Sequence, residues 1–222
     1  MNNLKNLLAE ESEKVIELED RNGKLQAAVE QLQKKLGIEV KEVVPNRRPD
    51  VVFVPTPQDV VDKMLELAEV TKDDLIYDLG CGDGRIVVTA AKKYGCRAIG
   101  YDIDPNRVKE SRANVAKNNV GHLVSIEQKD IFTLDLSTAN VITLYLLPKL
   151  NVKLIPQLEK LKPGSRIVSH DFSMEGVKPD KAVKLTSNED DYHHDIYLWT
   201  IPLKKIPKAE VPELLNDFLK WP

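Results

Sequence analysis

The chain has 222 residues, with 32 Lys and Arg against 35 Asp and Glu and a formal net charge of −3. Hydrophobic residues make up 42% and charged residues 30%, too apolar for a disordered chain, and no run approaches the ~18 apolar residues of a membrane span or forms a leader's apolar core. Two cysteines, Cys81 and Cys96, exclude a disulfide framework and point to the cytoplasm, and the slight acidity argues against an affinity built on coating nucleic-acid phosphates.

Residues 1–36 stand apart, with no proline, one glycine and many Leu, Glu, Lys and Gln. In heptads, Leu8, Val15, Asn22, Val29 and Leu36 fall at a, and Leu4, Glu11, Leu18, Leu25 and Leu32 fall at d. Eight of these ten positions are apolar, and the stripe keeps a 3.5-residue period. That pattern predicts a two-stranded coiled coil and a homodimer through residues 4–36. Asn22 at a would pair with its twin and fix the register, and Lys14 at g would face Glu19 at e of the partner helix. The alternative is a helix folded back onto its own domain, which a broader stripe would favour. Gly37 ends the helix, and residues 37–55, with Pro45, Pro49 and Pro55, read as an extended linker.

From residue 56 strands alternate with amphipathic helices. Thr56-Pro57 opens a helix, Thr56 serving as its cap and Asp59 as a capping-box acid, with Val60, Met64, Leu67 and Ala68 as its buried stripe. A strand over about 74–79, a glycine loop over 80–84 and a helix through Val88, Ala91 and Tyr94 follow. Next come a strand Arg97–Tyr101, a helix over about 105–119, strands near 123–128 and 140–146, a helix near 149–161 and a strand near 165–170. Residues 182–188 and 192–201 read as two strands joined by an acidic turn. Repeated strand–helix–strand units predict a largely parallel sheet covered on both faces, with an antiparallel hairpin closing one edge. Residues 202–222 form a proline-containing tail with a short helix over 213–220. The organisation is a helix over 1–36, a linker over 37–55, a ligand-binding α/β domain over 56–201 and a tail over 202–222.

The strongest motif is Asp78-Leu79-Gly80-Cys81-Gly82-Asp83-Gly84, between a strand and a helix. Gly80 and Gly82 allow a tight turn and the close approach of a ligand. A dinucleotide site would read G-x-G-x-x-G with a phosphate at the helix N-terminus, whereas this spacing is G-x-G-x-G with Asp78 at the strand end. A carboxylate repels a phosphate and favours a cation. Asp102 ends the second strand about twenty residues on, where a carboxylate can accept both ribose hydroxyls. Asp130 follows the third strand, in reach of an adenine amine. The three acids describe a pocket for a positively charged adenosyl compound; the plain alternative for the glycines alone is a tight turn.

These motifs resemble the cofactor motifs of class I S-adenosylmethionine-dependent methyltransferases. The resemblance implies a Rossmann-like, seven-stranded α/β fold with helices on both faces and S-adenosyl-L-methionine as cofactor. It implies that the glycine loop packs on the methionine part, Asp102 binds ribose with Ile103 beside it, and Asp130 with Ile131 borders the adenine. Val54-Pro55-Thr56-Pro57, Thr143-Leu144-Tyr145-Leu146-Leu147-Pro148 and Ser169-His170-Asp171-Phe172 resemble segments of archaeal broad-specificity protein-lysine methyltransferases. Those are similar to the mitochondrial lysine methyltransferases that modify the ATP synthase c-subunit and the adenine nucleotide translocator. By that resemblance Thr56 lies at the methionine end and the substrate is a protein with an exposed lysine. The coiled-coil arm and Asp102, where that family more often has Glu, depart from its pattern.

A lysine amine, with a reference pKa of ~10.4, must lose a proton before it attacks a methyl group. Tyr145 lies where this fold presents substrate, either orienting the amine or packing as cofactor wall, and His170 with Asp171 is either a substrate-side pair or a structural one. Glu189, Asp190, Asp191 and Asp195 surround the hairpin turn, either attracting basic protein tails or forming a solvated loop. His193 and His194 should point to opposite faces of a strand, which argues against a shared metal site. Leu144-Tyr145-Leu146-Leu147-Pro148 has no amide to grip a flipped base, which argues against a nucleic-acid substrate. A small-molecule methyltransferase and a non-catalytic cofactor sensor remain alternatives.

Overall fold

Strand β1 (Leu75–Leu79) shows how the sequence builds the sheet. Ile76 packs into one apolar cluster while Tyr77 and Leu79 pack into another, so alternate residues serve opposite faces and both faces are covered. β4 (Val141–Leu144) and β5 (Arg166–His170) alternate in the same way: Val141 and Val168 join the first cluster, Ile142 and Ile167 the second.

The computed structural model describes residues 49–207. The expected coiled coil over 1–36, the linker up to residue 48 and the helix over 213–220 lie outside the described residues. Helix α1 (Gln58–Leu67) precedes β1, followed by α2 (Arg85–Tyr94), β2 (Arg97–Asp102), α3 (Pro105–Lys117), β3 (Val124–Gln128) and then β4. After β4 come α4 (Pro148–Leu158), β5, β6 (Val177–Lys178), β7 (Lys181–Thr186), β8 (His193–Thr200) and β9 (Lys204–Lys205). The main sheet has seven strands in the order β3-β2-β1-β4-β5-β8-β7. The first five are parallel, and β8 runs antiparallel between β5 and β7, closing the sheet as the expected hairpin. Residues beyond 201 contribute β9, which pairs with β6 in a two-stranded ribbon.

One face is covered by α1, α2 and α3, where Val60, Met64, Val87, Ala91 and Val108 enter the first cluster. The other is covered by α4, with Leu154 and Leu158 fully buried beside Leu136, Met174 and Trp199. Each such side chain contributes roughly 1.5–3 kcal/mol by leaving water. The strand order reverses between β1 and β4, and a doubly wound sheet opens its ligand crevice at the carboxyl ends of strands at that point.

The start of α1 differs from the sequence expectation. The helix begins at Gln58, and neither Thr56 nor Pro57 supplies a side-chain cap. Thr56 instead bonds His170, and Asp59 accepts hydrogen bonds from the Ser187 hydroxyl and the Asn188 amide. Long-range partners outcompete the local cap, tying the start of α1 to β5 and to the turn between β7 and β8.

Candidate active site

A cavity of about 270 Å³ opens at the carboxyl ends of β1, β2 and β4, between the glycine loop, the turn after β2 and the segment before α1. Gly80, Gly82 and Gly84 all have positive φ, at 87°, 54° and 76°. The Gly80 and Cys81 amides donate to Tyr101 O at 2.8 and 2.9 Å, folding the loop over the end of β2. Gly80 lines the cavity. Gly82, expected against the ligand, lies one step behind: its amide donates to Asp102 Oδ2 at 2.9 Å, and a Cβ there would stand 2.1 Å from the Phe53 ring.

Asp78 is 2% exposed at the end of β1. Thr143 Oγ1, on neighbouring β4, donates to Asp78 Oδ1 at 2.7 Å, while Asp78 Oδ2 is buried without a hydrogen-bond partner. Burial, with Asp102 and Asp83 nearby, pushes the Asp78 carboxyl up to about 7 despite the Thr143 bond. An orphaned carboxylate oxygen beside a glycine turn fits a cationic ligand and conflicts with a phosphate. Burial also raises the Asp102 carboxyl, offset by the amides of Asp104 and Gly82. Asp102 accepts one amide on each oxygen, so it is held rigidly with a second lone pair on each oxygen for a diol.

Ile103, Asp130 and Ile131 line the same cavity beyond Asp102. Asp130 Oδ1 caps the short 3₁₀ turn Ile131–Thr133 by accepting the Phe132 amide, which fixes Ile131 at the wall. Asp78, Asp102 and Asp130 thus come together as the sequence implied.

Residues 49–54, expected as the end of a linker, line the cavity instead. Phe53 rests on Gly82 and under the Arg107 guanidinium, 4.8 Å from its ring centroid. Arg85 is a second tie that the sequence reading missed. It forks onto Asp83 (Nε at 3.0 Å from each carboxylate oxygen, Nη2 at 2.6 Å from Oδ2) and donates through Nη1 to Thr56 O at 2.6 Å. The glycine loop and the Thr56 segment are therefore one rigid wall; the D-x-R spacing across the last glycine, Asp83-Gly84-Arg85, is the signal that was available.

Tyr145 lines the cavity after β4, its ring 4.0 Å from that of His170 and 6.1 Å from that of Phe172. Burial, and then the charges of Asp171 and Asp190, raise its hydroxyl pKa. His170 is fully buried and does not line the cavity: it reaches it through Thr56, whose Oγ1 lies 3.1 Å from His170 Nδ1. Asp171 has a φ of 56°, a left-handed conformation that turns the chain sharply after β5.

His193 and His194 do point to opposite faces, His193 outward to Thr186 and His194 inward. The register pairs His170 with Ile196, so His194, two residues away, shares the inner face with His170. Its Nδ1 lies 2.8 Å from His170 Nε2 and 3.2 Å from Asp171 Oδ2. Two histidines and an aspartate thus form a cluster that the sequence reading did not assemble, because it depends on β8 entering the sheet beside β5.

Comparison with known proteins places this geometry. A profile described as the ANTKMT methyltransferase domain matches residues 78–181. A protein-lysine N-methyltransferase of Saccharolobus islandicus is 46% identical over 155 residues, covering 69% of this chain and 95% of that protein. The human lysine N-methyltransferase of the ATP synthase C subunit is 28% identical over 129 residues, covering 58% of this chain and 54% of that one. Among solved structures, an RNA methyltransferase of Salinibacter ruber in complex with S-adenosyl-L-homocysteine is similar at 51% identity and a TM-score of 0.64. That match covers 70% of this chain and 97% of the other.

Proposed function

We infer the substrate class and the residue roles from one premise: the chain belongs to the family of S-adenosylmethionine-dependent protein-lysine N-methyltransferases, on the class I methyltransferase fold. It uses S-adenosyl-L-methionine and transfers the methyl group to lysine side chains of proteins. The observation that carries this is the 46% identity to a protein-lysine N-methyltransferase across nearly all of that protein.

When bound, the cofactor supplies an already activated methyl group, so the protein's task is to bind, orient and exclude water. In our reading Asp78 meets the cationic methionine part with its unpartnered oxygen, and Gly80 gives the close approach. Gly82 acts by aiming Asp102 at the ribose. Ile103 and Ile131 sandwich the adenine, and Asp130 accepts its amine. Thr56, anchored by Arg85, closes the methionine end. Tyr145, Phe172 and the half-exposed Leu147 line the mouth, an apolar channel suited to a lysine stem. Tyr145 orients the amine, and His170 acts through Thr56.

One observation favours a second reading, an RNA substrate: the structure at 51% identity is described as an RNA methyltransferase. Against it, the segment after β4 carries no amide for a base, and the chain's net charge is −3. Incubation with methyl-labelled cofactor and cell extract separates the two. Label in N-methyl-lysine after protein hydrolysis is the expected result; label in nucleotides would support RNA, and label in small metabolites would support neither.

We further propose that residues 4–36 pair two chains in a parallel coiled coil and that the enzyme acts in the cytoplasm. Among the described residues no helix is long and apolar enough to cross a membrane. Sedimentation should give a dimer for the whole chain and a cofactor-binding monomer once residues 1–36 are removed; a monomeric whole chain refutes the pairing.

A further inference from the structure

Four side chains make an unbroken line from the cavity wall to the protein surface. Thr56, 4% exposed, lines the cavity and lies 3.1 Å from His170 Nδ1. His170 Nε2 lies 2.8 Å from His194 Nδ1, and His194 Nε2 lies 3.2 Å from Asp190 Oδ2. The Asp190 side chain, in the turn between β7 and β8, is 36% exposed.

A line that ends on Asp190 needs one tautomer of each ring. Asp190 only accepts, so in that tautomer His194 Nε2 bears the hydrogen and Nδ1 is bare. That bare nitrogen accepts from His170 Nε2–H, which leaves His170 Nδ1 to accept from the Thr56 hydroxyl. Every hydrogen bond then points away from the cavity.

We propose that Thr56, His170, His194 and Asp190 form a proton path that carries the ammonium proton of the acceptor lysine from the cavity to solvent. This rests on the lysine reading above. The amine proton passes to Thr56 Oγ1 as the hydroxyl proton passes to His170 Nδ1, His170 Nε2–H to His194 Nδ1, and His194 Nε2–H to Asp190, which releases it to water. The amine keeps the electron pair of the broken N–H bond and uses it to form the N–C bond as the S–C bond breaks, that pair remaining on sulfur. Rotation of the Thr56 hydroxyl and tautomer exchange of the rings reset the line.

The path needs no charged ring as an intermediate, which suits the buried place of His170. Burial, and then His194, pull His170 down to about 4 against the opposing charges of Asp171 and Asp190, which favours the neutral ring. Asp171 lies beside the line, its Oδ2 3.3 Å from His170 Nε2 and 3.2 Å from His194 Nδ1. Asp171 Oδ1 accepts the Asp195 amide at 3.1 Å, and Asp195 pairs with Lys184 at 2.9 Å. The 2.8 Å separation of the ring nitrogens is that of a hydrogen bond.

The test compares wild type with His194→Gln and Asp190→Asn, in the whole chain, reading label in N-methyl-lysine from a bulk protein extract as acceptor between pH 7 and 10. General acid–base catalysis is worth about a hundredfold or more, so His194→Gln should lose at least about tenfold at pH 7. The loss should shrink to within about threefold near pH 10, where a large share of solution lysine is already deprotonated. Asp190→Asn, on the exposed turn, should show the same pH trend with a smaller loss, because water can take the final proton. Cofactor affinity should stay within about twofold in both. A loss equal at every pH, or no loss at pH 7, overturns the path. So does wild-type activity abolished by a chelator and restored by zinc, which would make His170, Asp171 and His194 a metal site. A wild type that labels no lysine defeats the lysine reading itself, whereas an active wild type with pH-independent variants defeats the proton path alone.

Discussion

Thr143 and Asp78 share one hydrogen bond between β4 and β1 that leaves the other carboxylate oxygen of Asp78 buried and unsatisfied. A pair built only for stability would not keep that oxygen, since an unpaired buried acceptor costs about 1–3 kcal/mol. The arrangement makes sense once a cation docks against it.

That relationship predicts a pH dependence. With its carboxyl near 7 in the folded protein and near 3.8 unfolded, Asp78 holds a proton in the native state between those values that the unfolded chain has lost. Stability without cofactor should therefore fall as pH rises from about 4 to 7, by a few kcal/mol, and then level off. Below pH 7 a cation must displace the proton to bind, so cofactor binding should release close to one proton at pH 6 and almost none at pH 8.5. Calorimetry in buffers of different ionisation enthalpy measures this. Asp78→Asn should raise the unliganded melting temperature at pH 8 and abolish the proton release; an unchanged release would assign it to another group.

Asp102 joins the glycine loop to the turn after β2 by accepting Gly82 and Asp104 amides on separate oxygens. Asp102→Ala removes both ties and the diol acceptor proposed above. Hydrogen bonds to a charged group are worth about 1.5–3 kcal/mol each, so cofactor affinity should fall at least about tenfold. The domain should still fold cooperatively, because neither apolar cluster is touched. Calorimetry showing wild-type affinity would remove Asp102 from the ribose site.

The contact of Phe53 with Gly82 predicts a coupled pair. Gly82→Ala would strain a backbone at φ 54° and drive a methyl into the Phe53 ring, lifting residues 49–54 from the cavity. Left-handed strain alone costs roughly 1–2 kcal/mol. Phe53→Ala frees the space, so the double variant should lose less cofactor affinity than the two single losses added together. Strict additivity in the cycle would show that Phe53 does not seat on the loop in solution.

Much of this site could be read in the chain because it is local. Asp78, Gly80, Asp102 and Asp130 each sit at the end of a strand whose apolar run is unmistakable, and parallel topology brings strand ends together. The parallel sheet and its closing hairpin followed from the alternation of strands and helices. What could not be read depends on pairing across distance. Thr56 looks like a helix cap until β5 brings His170 beside it, and His194 looks like a lone strand histidine until β8 slots next to β5. Residues 49–54 look like linker because their proline and valine content predicts extended backbone and nothing about the surface they lie on. Arg85 was overlooked for the opposite reason: an arginine in the first turn of a helix is commonplace, and its fork onto Asp83 and Thr56 exists only in the folded wall.

Tyr145 is the residue whose two roles can be separated most cleanly. Its ring packs on His170 at 4.0 Å and parallels Phe172 at an interplanar angle of 17°, so the ring alone can wall the channel. The hydroxyl is the only part able to orient an amine. Tyr145→Phe keeps the wall and removes that one hydrogen bond, worth about 1.4 kcal/mol, so kcat should fall roughly tenfold with cofactor affinity unchanged. Tyr145→Ala removes the wall as well, and should raise the KM for protein acceptor on top of the kcat loss. Steady-state kinetics with a labelled acceptor distinguishes the two variants. A Phe variant with wild-type kcat, alongside an Ala variant that binds cofactor poorly, would mean that the ring packs the cofactor and that the amine is oriented elsewhere.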